Sequence, residues 1–175
     1  RVLAGLGAIA RAAGEGGDIY ARKLSLGDLE VRLERVHRPY HDVTHATLQD
    51  LRAQFGFAVL LDCHSMPSGQ PRKPADVVLG DRFGASCEPW VTDLAQDILA
   101  GLGFSVARNN PYAGGYITQT YGAPKRAMHA LQLELRRDLY MDEDTLEKHA
   151  GFERMRDAMT RFSQQFCKAI QSRVV

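Results

Sequence analysis

An apolar run that ends in a cluster of polar side chains constrains this chain more than any other feature. Residues 57–61 are aromatic, aliphatic or β-branched. The next four residues are Asp62, Cys63, His64 and Ser65. Gly56 separates the run from what precedes it, and Pro67 prevents a regular continuation. The pattern predicts a short buried strand with reactive polar side chains at its C-terminal end. Open α/β sheets bind ligands at this end of their strands.

Apolar patterns along the chain alternate between the periods of helices and strands. Helices are predicted over about 26–37, 39–54, 89–102 and 144–172, and strands over about 57–61, 76–80, 104–107 and 130–135. Pro39 is expected to break or kink the first helical stretch. A chain of 175 residues suffices for one sizeable core, so we predict a single domain over residues 1–175. The alternation predicts an α/β fold with a mainly parallel or mixed sheet flanked by helices.

The charge balance gives no argument for a nucleic-acid or membrane partner. The chain has 22 basic and 21 acidic residues, a formal net charge of +1, so no long-range field favours a polyanion. No apolar run approaches the roughly 20 residues that a membrane span needs. The three separated cysteines, Cys63, Cys87 and Cys167, favour a reducing compartment, and we expect a cytoplasmic protein. A small-molecule substrate is the expected partner, and the oligomeric state is left open.

Period-two alternation determines which polar side chains share a face of the predicted strand. Asp62 and His64 lie on one side, and Cys63 and Ser65 lie on the other. A carboxylate beside an imidazole suits a metal ligand with its orienting partner, or a general base. A histidine that bonds only to loop backbone is the structural alternative. Cys63 is expected to pack against the back of the sheet, which argues against a thiol nucleophile.

Three histidines, His37, His41 and His45, follow one another at four-residue spacing. On an unbroken helix they would align as metal ligands, but Pro39 is expected to interrupt that helix. No Glu comes immediately after His41, so the zincin arrangement of two histidines around a catalytic Glu is absent. We therefore expect His45 to be a solvated residue of the helix flank, with His41 at the border of the apolar stripe.

Glu134 stands on the polar face of a leucine-rich predicted strand. A buried carboxylate without a partner is costly, so this residue indicates a cation, a metal-bound water or an arginine nearby. A structural ion pair with Arg82, Arg136 or Arg137 explains it equally well. Arg82 itself suits a substrate carboxylate or a structural ion pair. Residues 109–115 combine an amide, a phenol and two glycines, as suits a loop that closely approaches a small polar ligand.

Several segments, taken in order, resemble the N-formylglutamate amidohydrolase family, whose members release formate and glutamate at the end of one route of histidine degradation. The resembling segments are residues 16–20 (GGDIY), 38–41 (RPYH), 61–68 (LDCHSMPS), 78–82 (VLGDR), 109, 111–118 (PYAGGYIT), 121–122 (YG), 129–134 (HALQLE) and 139–143 (LYMDE). The DCHSMPS and PYAGG segments are the most distinctive. The ordered set extends across nearly the whole chain.

This resemblance implies a three-layer fold like that of the zinc carboxypeptidases, with one zinc ion that activates water against an amide bond. His64 matches a metal ligand at the end of a central strand, with Asp62 as its orienting partner, and Glu134 matches the general base. The implied substrate-binding groups are Arg82, Asn109 and Tyr112, together with the backbone of Gly114 and Gly115.

The resemblance leaves the expected zinc site incomplete. Longer relatives carry a histidine-bearing segment and an acidic ligand upstream of the position of Arg1, and a catalytic zinc takes three protein ligands. We expect the other ligands before Arg1, a fold truncated at its N-terminus, and little activity from these 175 residues alone. Two alternatives stay open. One is a non-catalytic α/β remnant that binds an acidic amino acid through Arg82 and residues 109–115, and the other is a hydrolase that uses Cys63.

Overall fold

The computed structural model describes residues 9–12, 17–69 and 75–173. The chain divides into two compact units, Arg1–Ala46 and Thr47–Val175, and each is described by itself. The single domain expected over residues 1–175 stays a prediction. Within the described ranges, no helix is long and apolar enough to cross a membrane.

The helical path that starts at residue 26 continues past Pro39, which corrects the predicted interruption. Helix α1 spans Leu26–Arg32, a π-helical segment spans Leu33–His37, and helix α2 spans Arg38–Phe55. The N–H of Arg38 donates to the carbonyl of Leu33, one residue further back than in an α-helix. The hydrogen-bond register therefore changes just before Pro39. Pro39 has no N–H to donate, and the π-helical change of register just before it accommodates this residue within the continuous helical path.

The second unit is built on a four-stranded mixed sheet. Strand β1 spans Ala58–Met66, β2 spans Val77–Gly80, β3 spans Val106–Arg108 and β4 spans Met128–Arg136, in the order β1-β4-β2-β3. β1 pairs with β4 and β2 with β3 in parallel, whereas β2 and β4 are antiparallel. The predicted α/β class and mixed sheet are confirmed. Strand β1, predicted over about 57–61, is longer than predicted, because its pairing with β4 continues through residues 62–66.

Helices cover both faces of this sheet and produce three layers. Helices α3, Pro89–Gly101, and α5, Gly151–Gln171, pack on one face, and helix α4, Tyr116–Tyr121, packs on the other. The larger core joins Leu131 and Leu133 of β4 to α3 and α5. A smaller core joins Ala130 of β4 to α4 and to Leu48 of α2. Even-numbered residues of β4 thus face the smaller core, and Gln132 and Glu134 continue that face.

The last helix begins later than its apolar pattern predicts. The predicted span is about 144–172, whereas α5 begins at Gly151. The carboxylate of Asp142 accepts hydrogen bonds from the N–H groups of Asp144 and Thr145, which closes a turn that competes with helix formation. Helix α3 begins at Pro89 as predicted, and β3 lies two residues beyond its predicted start because Val106 is its first paired residue.

Candidate active site

The candidate site lies on the even-numbered face of β1 and β4. The parallel register places Asp62 opposite Gln132 and His64 opposite Glu134. Neighbouring strands lie about 5 Å apart, so these four residues form one polar patch two residues wide and two long. We call the four residues Asp62, His64, Gln132 and Glu134 the polar quartet.

Asp62 and His64 share a face of β1, as predicted. Oδ1 of Asp62 lies 3.0 Å from Nε2 of His64. The His64 side chain is 47% exposed, whereas that of Asp62 is 14% exposed. The carboxylate therefore holds the ring from its buried side, and Nδ1 is the ring nitrogen left for a metal ion or a proton. The second oxygen of Asp62, Oδ2, is buried and finds no hydrogen-bond partner within the described residues.

Glu134 is a buried carboxylate that belongs to the same patch. It is 5% exposed, and its Oε1 accepts a hydrogen bond of 2.7 Å from Nε2 of Gln132. Burial raises the pKa of Glu134, and the nearby His64, Gln132 and Arg137 partly offset this rise. A buried carboxyl group with a raised pKa beside an imidazole is typical of acid–base chemistry.

The arginines that follow Glu134 have separate environments. Arg136 forms ion pairs with Asp76 at 3.0 Å and with Asp138 at 2.6 Å. Arg137 lowers the pKa of Glu134, and its Nε is buried without a hydrogen-bond partner in the described part of the chain. Among the described residues, none of the ion pairs joins Glu134 to an arginine. The structural ion pair that the sequence left open is therefore not what holds Glu134.

The loop at residues 109–115 lies directly against the sheet beside the polar quartet. A Cβ on Gly80, at the end of β2, would lie 2.7 Å from the backbone N of Gly114. A Cβ on Gly115 would lie 3.2 Å from Oε1 of Gln132. Glycine at both positions lets the loop backbone approach the sheet this closely. Tyr112 is half-buried in the same loop, and contact of these residues with a ligand stays a prediction.

Arg82 and Asn109 lie in a strained region that follows β2 and β3. The φ angles of Arg82, Phe83 and Asn109 are 54°, 57° and 57°, values that residues other than glycine rarely adopt. Nδ2 of Asn109 donates to Oδ1 of Asp81 at 2.7 Å, and its Oδ1 accepts from the N–H groups of Asp81 and Phe83. The N–H of Arg82 donates to the carbonyl of Ala113 at 2.7 Å. Such strain concentrates at functional sites, and the contacts of Asn109 favour a role in positioning Arg82.

Cys63 is exposed, which corrects the prediction that it packs against the back of the sheet. Among the described residues, the larger core extends along β1 only as far as Leu61, so the Cys63 thiol lies beyond that core. Partial desolvation of the sulfur and repulsion from Asp62 raise the pKa of the thiol. A raised pKa leaves less thiolate at neutral pH, which disfavours a nucleophilic role.

His37, at the end of the π-helical segment, and His41, in the first turns of α2, lie closer together than a helix break at Pro39 would allow. The ring centroids of His37 and His41 lie 4.2 Å apart, because the helical path is continuous between them. Burial and the neighbouring His37 lower the pKa of His41. His45 is exposed, as predicted.

The donor set for a metal ion is incomplete within the described residues. No group of three or more His, Cys, Asp or Glu side chains is arranged there to hold a metal ion. An imidazole oriented by a carboxylate suits zinc chemically, and His64 supplies one such donor. A catalytic zinc takes three protein ligands, so these residues by themselves do not constitute a zinc site.

Two polar residues that the sequence analysis did not single out help to build the site. Gln132 bonds to Glu134, and its sequence signal is its position on the same polar face of a leucine-rich strand. Glu143 accepts hydrogen bonds from the N–H and the hydroxyl of Ser68, which secures the turn after β1. Ser68 and Glu143 are 75 positions apart, so no local pattern in the sequence indicates their contact.

The sequence is similar to proteins of one family. The profile of the family described as N-formylglutamate amidohydrolase matches residues 1–141. Over 116 residues the chain is 42% identical to N-formylglutamate deformylase of Pseudomonas putida, a match that covers 63% of this chain and 43% of that protein. The enzyme of the same name from Pseudomonas aeruginosa is 40% identical over 116 residues, with 63% and 44% covered. The matched segment spans less than half the length of these relatives.

The fold is similar to that of a solved member of the same family. A crystal structure of N-formylglutamate amidohydrolase from Ralstonia eutropha JMP134 matches with a TM-score of 0.85 and 34% identity, covering 97% of this chain and 62% of that one. A gene product of Agrobacterium tumefaciens matches with a TM-score of 0.63 and 17% identity, covering 93% and 61%, and this likeness concerns the fold alone. With the profile matched over most of its residues, the chain belongs to the N-formylglutamate amidohydrolase family.

Proposed function

We propose that the protein hydrolyses the amide bond of N-formyl-L-glutamate, or of a closely related N-acyl amino acid. The observation that carries the proposal is the cross-strand pair of His64 and Glu134, an oriented imidazole beside a buried carboxylate. Amide hydrolysis needs a group that takes a proton from water and delivers one to the leaving nitrogen. The names of the relatives, N-formylglutamate deformylase and amidohydrolase, supply the substrate.

Glu134 is the proposed proton-transfer group. It takes a proton from the attacking water as the new C–O bond forms at the formyl carbon, and it returns that proton to nitrogen as the C–N bond breaks. The products are formate and the free amino acid. Burial raises the pKa of Glu134, which brings its basicity closer to that needed near neutral pH.

Arg82 and Arg137 are the cations proposed to bind the substrate carboxylates. Arg108 and Arg136 form ion pairs within the protein, whereas neither Arg82 nor Arg137 forms one in the described part of the chain. The stem of Arg82 passes close to Gly114, since a Cβ there would lie 2.9 Å from Cγ of the arginine. This arrangement supports a site in which a guanidinium and the glycine loop meet the substrate together, with Tyr112 in the same loop.

Zinc is part of the proposal, with His64 as one ligand and Asp62 as its orienting partner. The metal would supply Lewis acidity and a more acidic bound water. The remaining ligands are proposed to lie outside the described residues, because these do not complete the set. The zinc-carboxypeptidase-like character of the fold belongs to the same proposal.

Formate release from N-formyl-L-glutamate by the complete gene product tests the function, with N-acetyl- and N-succinyl-L-glutamate as comparison substrates. We expect turnover that a chelator abolishes and zinc restores. Arg82→Met is expected to raise KM about 10–100-fold, because it removes a charge-assisted contact. The exposed Arg126 provides the control variant Arg126→Met. Zinc-loaded protein that releases no formate would contradict the function, and calorimetric binding of glutamate by that protein would favour a non-catalytic binder.

A further inference from the structure

Gln132 is a buried amide within a strand of leucines. It is 4% exposed, and its neighbours Leu131 and Leu133 belong to the larger core. Its Nε2 donates to Glu134, whereas its Oε1 is buried without a hydrogen-bond partner in the described part of the chain. A buried carbonyl without a donor is unfavourable, and a methionine of similar size avoids that cost. Packing therefore does not explain a glutamine at this position.

The hydrogen bond to Glu134 explains how the amide is oriented. A carboxylate only accepts hydrogen bonds, so the NH2 group of Gln132 must face it and the carbonyl must face away. The carbonyl then lies beneath the glycine loop, where a Cβ on Gly115 would be 3.2 Å from it. The φ angle of Gly115 is −115°, which other residues adopt readily. A side chain at residue 115 would therefore crowd the Gln132 carbonyl, whereas the backbone angle itself does not call for glycine.

We propose that Gln132 is a positioning residue that holds the carboxylate of Glu134 in the orientation needed for proton transfer. The inference rests on the proposed function, in which Glu134 transfers the proton. Gln132 engages Oε1 of Glu134, and within the described residues Oε2 accepts no hydrogen bond. Oε2 is therefore the oxygen available to the water and then to the leaving nitrogen.

The same arrangement occurs on the neighbouring strand. Asp62 holds His64 two residues further along β1, just as Gln132 holds Glu134 two residues further along β4. Asp62 and Gln132 are opposite each other in the register. Asp62 uses one atom to hold His64, and Gln132 uses one atom to hold Glu134. The other oxygen of each, Oδ2 of Asp62 and Oε1 of Gln132, is buried and has no hydrogen-bond partner among the described residues. Within the polar quartet, Asp62 and Gln132 thus orient His64 and Glu134, each from two residues earlier on the same strand.

Gln132→Met in the complete gene product tests this inference, with N-formyl-L-glutamate as the substrate. Methionine fills similar space but cannot donate, so we expect kcat to fall about 10–100-fold, the usual range for an orienting group. KM should stay within about twofold, because Gln132 does not contact the substrate. The melting temperature should be no more than about 2 °C below that of the wild type. Leu133→Met on the opposite face of β4 is the control, with kcat expected within about twofold.

A double variant separates positioning from a general structural role. If Gln132 acts through Glu134, adding Gln132→Met to Glu134→Gln lowers kcat no further, because the group that it orients is already lost. Independent, multiplicative losses overturn the inference, and so does a Gln132→Met variant with wild-type kcat or with a clearly lower melting temperature than Leu133→Met. Wild-type protein that releases no formate overturns the proposed function and this inference together. Wild-type turnover with an unaffected Gln132→Met overturns this inference alone.

Discussion

His64 on β1 lies directly opposite Glu134 on β4, in a parallel register. A slip of one residue would turn Glu134 to the other face of the sheet. The leucines that alternate with Glu134, Leu131 and Leu133, are buried in the larger core. The same slip would turn both leucines out of that core. The packing of the sheet therefore secures the geometry of the site.

Glu134→Gln is expected to lower kcat by about 10²–10⁴ and to raise stability near neutral pH. Burial raises the pKa of Glu134, so the folded protein holds this proton more tightly than the unfolded chain does. The folded state is therefore favoured at low pH, and this advantage is lost as pH rises through the folded pKa. Urea unfolding with a chelator present should show a gain of about 1 kcal/mol at about pH 7.5 that shrinks toward about pH 4. The exposed Glu147 gives the control Glu147→Gln, and a gain independent of pH would contradict the prediction.

His129→Asn is expected to weaken the loss of stability in mild acid. His129 is 3% exposed, and burial lowers its pKa, so the unfolded chain binds this proton more tightly than the folded protein. The free energy of unfolding therefore falls as the pH drops from the pKa of His129 in the unfolded chain to its lower pKa in the folded protein. The Asn amide oxygen can replace Nδ1 as the acceptor of the Glu88 N–H. Urea unfolding between about pH 7 and 5 should show a flatter profile for the variant. His45→Asn, at an exposed position, should keep the wild-type profile, and equal slopes in all three proteins would refute the expectation.

Gly80→Ala is expected to destabilise the second unit by about 1–3 kcal/mol. The new Cβ would lie 2.7 Å from the backbone N of Gly114 and 2.8 Å from the carbonyl carbon of Ala113, and backbone cannot move aside as a side-chain end can. Gly101→Ala is the matched control, because a Cβ there meets nothing within 4 Å. Urea midpoints measure the difference. Similar midpoints for the two variants would show that the loop does not pack on β2.

Cys63→Ser is expected to leave kcat within about twofold of the wild type. The thiol points away from the face that carries Asp62 and His64, and its raised pKa opposes thiolate formation. Formate release by Cys63→Ser and by chelator-treated wild type should be measured side by side. Loss of activity in the variant together with full activity after chelation would instead assign the chemistry to the thiol.

Local periodicity was sufficient to assign the faces of strands β1 and β4. The alternation of leucines with Gln132 and Glu134 predicted which side of β4 carries the carboxylate, and a spacing of two placed Asp62 beside His64. Side chains alternate on any extended strand whatever its neighbours. Short segments of sequence therefore suffice to predict which side chains of the site share a face. The same reasoning misjudged Pro39, because the π-helical segment before it changes the hydrogen-bond register and lets the helical path continue past a residue without an N–H.

Only the tertiary structure determined which strands are neighbours and in what register. The pairing of β1 with β4, the contact of Gly80 with the glycine loop, and the hydrogen bond of Ser68 to Glu143 all join segments far apart in the chain. Such contacts leave no periodic signal, because each depends on backbone pairing and burial summed over the whole sheet. Residue types and local spacing therefore supplied the chemical groups, and long-range packing brought His64, Glu134 and Gln132 together.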